Sequence, residues 1–175
     1  MKRRILAFAA SNSSRSINRQ LVEYAASLIK DAEIETLDIH DYEMPLYRAD
    51  REDSHGIPQL AHDFLARIGA ADALLISFAE HNGAYSAAFK NLFDWCSRVG
   101  REVWQGKPMV LLSTSPGPGG GMRSLSIAAS AAPHFGGEVV GTMAVPKFSE
   151  AFDTEAGCLR DEALVAAMKE LVAKL

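Results

Sequence analysis

Arg4-Ile5-Leu6-Ala7-Phe8-Ala9-Ala10-Ser11-Asn12-Ser13-Ser14-Arg15-Ser16-Ile17-Asn18 is the stretch whose reading decides the fold. Residues 5–10 form an apolar run with no alternating polar face, which predicts a strand covered on both sides. A polar segment follows at once. Residues 17–30 then carry apolar side chains at 17, 21, 24, 25, 28 and 29, a helical period. A buried strand that runs through a short polar loop into a helix is the opening unit of an α/β domain with a parallel sheet.

The same alternation continues along the chain. Residues 34–39, 73–78, 108–113 and 138–141 read as further strands. Residues 59–70, 84–99, 121–135 and 159–175 read as helices. A loop containing Pro45, Asp50, Asp53, Gly56 and Pro58 joins the second strand to the second helix. Five strands alternating with helices predict one domain built on a five-stranded parallel sheet, and no repeat or linker divides it.

Composition agrees with one soluble domain. The chain has 175 residues, 48% of them hydrophobic and 23% charged, so it can bury a sizeable core. The net charge of −4 gives no reason to expect nucleic acid or an acidic membrane surface as partner. Basic residues ahead of an apolar run resemble the start of a signal peptide, but the run stops at Ser11, so a first strand is the better reading. No segment approaches the roughly 20 apolar residues of a membrane span. Cys96 and Cys158 have neither metal-site spacing nor the number for a disulfide framework, which points to the reducing cytoplasm.

In open parallel sheets, ligands sit beyond the carboxyl ends of the strands, where the strand order reverses. The loops after the first, third and fourth strands are therefore the candidates. In the first, Ser11, Ser13, Arg15, Ser16 and Asn18 offer hydroxyl, amide and guanidinium donors beside a helix N-terminus, a ready anion site. A helix cap alone needs one such residue. The loop has neither the glycines and lysine of a Walker motif nor the three glycines of a Rossmann fingerprint. A single phosphate bound by hydroxyls is what FMN sites of flavodoxin type use, and simple helix capping is the other reading of the loop.

The second loop contains Glu80-His81-Asn82-Gly83, with a strong turn signal at Asn82-Gly83. The third runs Ser113-Thr114-Ser115-Pro116-Gly117-Pro118-Gly119-Gly120-Gly121, poor in side chains and suited to a flat ring lying against backbone.

These residues resemble the bacterial NADPH-dependent FMN reductase family, which includes chromate, quinone and azo-dye reductases. The likeness runs from the first strand to about Phe152. Its most specific piece is Glu80-His81-Asn82-Gly83-Ala84-Tyr85-Ser86-Ala87-Ala88-Phe89-Lys90-Asn91, similar to the family's Pro-Glu-Tyr-Asn-Gly-Ser-x-Ser-x-x-Leu-Lys-Asn. The second is Gly106-Lys107-Pro108 through Ser113-Thr114-Ser115-Pro116-Gly117, followed by Gly120 and Arg123. The third is Ser11 with Ser16-Ile17-Asn18.

The resemblance implies a flavodoxin-like three-layer sandwich with strand order 2-1-3-4-5, FMN as cofactor and NADPH or NADH as hydride donor. It implies that Ser11, Ser13, Ser16 and Asn18 hold the FMN phosphate, with Arg15 reaching the same oxygens. Glu80, His81, Asn82 and Gly83 would border the isoalloxazine ring, as would the third loop through Ser113, Thr114, Ser115, Gly117 and Gly120. It also implies a homodimer or homotetramer with the helix after the second loop at the interface. The sequence departs from the family's pattern at Ala10, Ser13, Ala79 and His81, where glycine, arginine, proline and tyrosine are usual.

Chemistry carried by a flavin needs no Ser/His/Asp triad, and the five histidines are scattered, with only His81 in a site loop. The expected function is hydride transfer from NAD(P)H to bound FMN and on to a small acceptor by a ping-pong cycle. Two other readings stand beside it. One is an FMN electron carrier, which long acidic docking surfaces would favour; Asp50, Glu52 and Asp53 make only a short patch. The other is a base-exchange enzyme on nucleosides, for which Glu80 is the one carboxylate in a site loop.

Overall fold

Alternate residues of the first strand point to opposite faces of a sheet, and both faces here are apolar. In the computed structural model, which describes residues 2–175, Leu6, Phe8 and Ala10 enter one core cluster and Ile5, Ala7 and Ala9 the other. Strand β1 (Arg3–Ala10) pairs in parallel with β2 (Ala32–Asp38) on one side and β3 (Ala73–Phe78) on the other. Beyond β3 lie β4 (Pro108–Thr114) and β5 (Glu138–Val145), also parallel. The order β2-β1-β3-β4-β5 is the one expected.

Helices cover both faces. Helix α1 (Ile17–Ser27) and α7 (Glu162–Val172) pack on one. Helices α3 (Gln59–Ala70), α4 (Ala87–Val99) and α5 (Met122–Ala131) pack on the other. Phe8 meets Phe64 of α3 edge-on at 5.6 Å. Burying one such ring is worth about 1.5–3 kcal/mol. Because β1 sends its crossover to one face and β3 to the other, the strand order reverses between them, and a cleft opens at their carboxyl ends.

The largest differences from the sequence reading lie in three places. Helix α2 (Ala49–His55) follows a 3-10 turn at Ile39–Tyr42, in what reads as an open loop. It buries no residue, so it shows no apolar stripe; Glu52 holds it from outside, accepting from Tyr47 Oη at 3.1 Å and pairing with Arg98 at 2.8 Å. Strand β5 continues four residues past Gly141, to Val145. Gly141 looks like an end in sequence but is a close approach, because a Cβ there would lie 2.4 Å from Leu171 Cδ1. The final helix starts at Glu162, since α6 (Phe148–Ala151) leads into a hairpin of β6 (Phe152–Asp153) and β7 (Cys158–Leu159) and Asp161 caps α7.

Asn18 ties this scaffold together at the cleft. Its Oδ1 accepts from Ser77 Oγ of β3 at 2.8 Å and from Thr114 N of β4 at 3.0 Å, and its Nδ2 donates to Thr114 O at 3.1 Å. Removing the carboxamide leaves buried partners unpaired, which costs about 1–3 kcal/mol for each unsatisfied group. For a chain of this size each kcal/mol lowers the melting temperature by about 2–4 °C, so Asn18→Ala should lower that of the apoprotein by at least about 6 °C, read by calorimetry. A loss of flavin binding with an unchanged melting temperature would instead place Asn18 on the ligand.

Candidate flavin site

Three of the four serine hydroxyls of the first loop are engaged by nearby backbone. Ser11 Oγ accepts from Ser13 N at 3.3 Å, Ser13 Oγ from Arg15 N at 3.3 Å, and Ser16 Oγ caps α1 by accepting from Arg19 N at 3.1 Å. A serine that uses a lone pair this way keeps its O–H to donate. The loop thus presents three oriented hydroxyl donors at a helix N-terminus. The N–H groups of Ile17 and Asn18 take no partner among the described residues. Arg15 is exposed beside them, and residues 11–18 include no carboxylate. This donor set fits a phosphate monoester.

The second loop makes the turn its sequence suggests. His81 N donates to Ala84 O at 3.0 Å and Ala84 N to His81 O at 3.2 Å. Asn82 (φ 53) and Gly83 (φ 79) occupy the central positions with positive φ, as a type I′ turn demands. Ser86 joins this loop to the first: its Oγ donates to Ala10 O at 2.9 Å and accepts from Phe89 N at 3.2 Å, so α4 begins at Ala87 rather than at Ala84.

Glu80 joins the second loop to the third. Its Oε2 accepts from Arg123 N at 3.0 Å and Ser124 N at 3.2 Å, capping α5 from another loop. A carboxylate held in this way is poorly placed as a nucleophile, which weighs against base exchange. Tyr85, two residues past Gly83, is packed against Phe78 and Phe89; burial pushes its phenol up to about 12, so it stays protonated.

In the third loop the glycines divide by task. Gly120 (φ +57) must be glycine, because a Cβ would lie 2.9 Å from the Val145–Pro146 backbone. Gly117 has open space, with only Ser115 Oγ at 3.9 Å. Ser113 Oγ donates to Gly120 O at 2.7 Å and Thr114 Oγ1 to Val145 O at 2.7 Å, and both side chains are buried.

Sequence reasoning missed the strap from the loop after β5. There, Lys147 N donates to Gly117 O and Phe148 N to Ser115 O, both at 3.0 Å. Ending the fifth strand at Gly141 hid it; recognising 142–145 as strand would have placed Pro146-Lys147 at the same sheet edge.

The structure therefore brings the three predicted loops together and sorts their residues. Ser11, Ser13, Arg15, Ser16, His81, Asn82, Gly83, Ser115 and Gly117 line the gathered loops. Asn18, Ser113, Thr114, Gly120 and the Oε2 of Glu80 are engaged inside the protein and shape them. An apolar cavity of about 300 Å³ lies to one side, between α4 and α5, and reaches the second loop through Phe78 and Tyr85.

A doubly wound parallel sheet with a hydroxyl-rich loop after its first strand belongs to the flavodoxin-like class. Comparison with known proteins narrows this. The sequence matches the NADPH-dependent FMN reductase family over residues 3–150, and the chain belongs to that family. NADPH:quinone oxidoreductase of Arabidopsis thaliana is 34% identical over 122 residues, 67% of this chain and 61% of that protein. A Burkholderia 2-hydroxy-1,4-benzoquinone reductase is 38% identical over 104 residues, 58% of this chain and 55% of that one. The matches thus span less than two thirds of these relatives.

Among solved structures, a flavoenzyme NAD(P)H:(acceptor) oxidoreductase from Paracoccus denitrificans superposes with a TM-score of 0.76 at 26% identity, covering 99% of this chain and 94% of that one. An FMN-dependent NADH-azoreductase from Bacillus anthracis, solved in complex with FMN, shares the fold at a TM-score of 0.63 and 14% identity, covering 98% of each chain.

The two glycines give a direct test of the third loop. Gly117→Val should leave the apoprotein's melting temperature unchanged and abolish FMN binding. Gly120→Ala should lower the melting temperature whether or not flavin is present. Calorimetry of apo and FMN-loaded forms separates these effects, and a Gly117→Val protein with native FMN affinity would remove the third loop from the site.

Proposed function

We propose that the chain is an FMN-dependent oxidoreductase that takes hydride from NADPH or NADH and delivers it to a small acceptor, with quinones the leading class. The single observation that carries this is the first loop, in which Ser11, Ser13 and Ser16 direct their hydroxyls by accepting backbone N–H groups and remain free to donate to one phosphate. When bound, FMN supplies a ring that accepts and gives up hydride. Ser11, Ser13, Ser16 and Arg15 bind its phosphate. Glu80 and Ser86 hold the second loop in place, so that Asn82 and Gly83 would border the ring and backbone N–H groups there would offset negative charge on it. Donor and acceptor use the same open face in turn, giving a ping-pong cycle. The quinone-reductase names of several relatives support the acceptor class.

The carrier reading is weakened by the fate of its acidic patch. Asp50 pairs with Arg48 at 3.2 Å and Glu52 with Arg98 at 2.8 Å, leaving little net charge for docking. Anaerobic titration with NADPH and NADH, followed by addition of a quinone, tests the proposal: bleaching and then recovery of the flavin spectrum is expected. A flavin that neither nucleotide reduces would refute it.

Two further outcomes follow from the site. Flavin released by denaturation should be FMN by mass, because the first loop offers one monophosphate pocket and no pyrophosphate fingerprint. Ser11→Ala with Ser16→Ala should weaken FMN binding at least tenfold, since each hydrogen bond to a charged group is worth about 1.5–3 kcal/mol. An unchanged dissociation constant would put the phosphate elsewhere.

The chain is also proposed to work in the cytoplasm as a homodimer or homotetramer. The large apolar side chains of α4 do not by themselves support an interface, because Phe89, Leu92 and Trp95 are buried in the chain's own core and Phe93 packs on Phe135 at 4.8 Å. Support comes instead from exposed Val99 on α4 and Met122 and Ile127 on α5, of which Ile127 also lines the apolar cavity. Light scattering at micromolar concentration should show a species larger than 18.9 kDa, and a monomer would refute the interface.

A further inference from the structure

Most cations around the sheet's carboxyl edge are engaged within the chain. Arg19 pairs with Asp38, Lys90 with Asp94 and Lys147 with Glu150. Arg15 stands on the phosphate loop. Arg123 remains: it is exposed, and among the described residues its guanidinium makes no ion pair or hydrogen bond. It is nevertheless held in place twice by the second loop. Its backbone N–H donates to Glu80 Oε2 at 3.0 Å. Its side chain runs along Gly83, where an added Cβ would lie 3.5 Å from Arg123 Cδ and 3.6 Å from Nη1. A cation fixed against the turn that borders the ring, yet free of any partner, is positioned to meet an incoming anion.

We propose that Arg123 recognises the phosphates of the nicotinamide nucleotide. The inference rests on the hydride-transfer reading above. A donor that stacks its nicotinamide on a ring bordered by Asn82 and Gly83 must lead its ribose and phosphates out across that rim. The nucleotide is anionic and the chain carries a net charge of −4, so their bulk electrostatics oppose association. A guanidinium at the rim reverses this locally and binds phosphate through two parallel N–H donors. The glycine at 83 keeps this path narrow, because it lets the arginine stem lie against the turn. Two phosphate sources share this chemistry, the pyrophosphate of either nucleotide and the 2′-phosphate of NADPH.

The test uses the FMN-loaded protein and the variants Arg123→Gln and Arg123→Lys. Binding of the redox-inactive NADP⁺ and NAD⁺ is measured by calorimetry, and steady-state KM and kcat are measured with NADPH, NADH and the phosphate-free donor 1-benzyl-1,4-dihydronicotinamide. Arg123→Gln should weaken NADP⁺ binding and raise the KM for NADPH at least tenfold, with partial recovery in Arg123→Lys. Its FMN content and its turnover of the benzyl donor should change less than twofold. Loss confined to NADP⁺ and NADPH identifies the 2′-phosphate; loss shared with NAD⁺ and NADH identifies the pyrophosphate. Unchanged binding of both nucleotides overturns the proposal. So does an equal slowing with all three donors, or a loss of FMN, either of which would assign Arg123 to the flavin. A wild-type protein that no donor reduces would instead count against the hydride-transfer reading itself.

Discussion

The carboxamide of Asn18 is the interaction on which the functional edge of the sheet depends. It sits in the first turn of α1 and hydrogen-bonds to β3 through Ser77 and to β4 through both polar groups of the Thr114 backbone. Strand ends in a parallel sheet have no neighbouring residue to continue their ladder. Here one side chain supplies two such backbone bonds, both to Thr114, and adds a third to the Ser77 hydroxyl. The first loop is thereby registered against the third. Other bonds extend the chain of ties: Ser86 to Ala10 O between the first and second loops, Glu80 to α5 between the second and third, and Lys147 with Phe148 between the third and β5. The site is made of loops, yet each loop is bonded to the next, so positioning is rigid without a strand or helix passing through it.

The serines of the first loop show why hydroxyls suit this task. A carboxylate could cap the helix but would repel phosphate, and a glycine could free backbone N–H groups but would orient nothing. Serine does both parts at once, accepting from the backbone with a lone pair and donating with its hydrogen. The geometry of the binding group is then set before a ligand arrives, which reduces the ordering cost of binding.

Much of this was legible in sequence, for identifiable reasons. Residues 5–10 and 73–78 read correctly because a strand buried on both faces is almost wholly apolar, Ser77 being the one polar residue in the two runs. The Asn82-Gly83 turn read correctly because positive φ at two consecutive positions admits few residue pairs. What stayed hidden was information held between segments. Asn18 looked like a ligand group because its partners lie 59 and 96 residues away. Glu80 looked like a ring contact because its α5 partners are 43 and 44 residues on. Helix α2 was invisible because nothing on it is buried, and β5 was cut short by a glycine whose reason is a leucine on α7.

The glycines of the site make a related physical point. Gly83, Gly120 and Gly121 have positive φ, and at Gly120 the packing also excludes a side chain. Their role in the backbone accounts for them without any ligand. Gly117 has neither constraint, so nothing inside the chain requires glycine there. The same holds for Gly119, so this part of the loop leaves its backbone open to what approaches from outside, as the flavin proposal requires. A flat ring needs such a surface: backbone within van der Waals reach and no Cβ in between. Arg123 is the electrostatic counterpart of Gly117. Its backbone is tied down by Glu80, while its guanidinium answers to no group in the chain. Both residues are set at the rim by the same network of loop-to-loop bonds, one left without a side chain and the other without a partner.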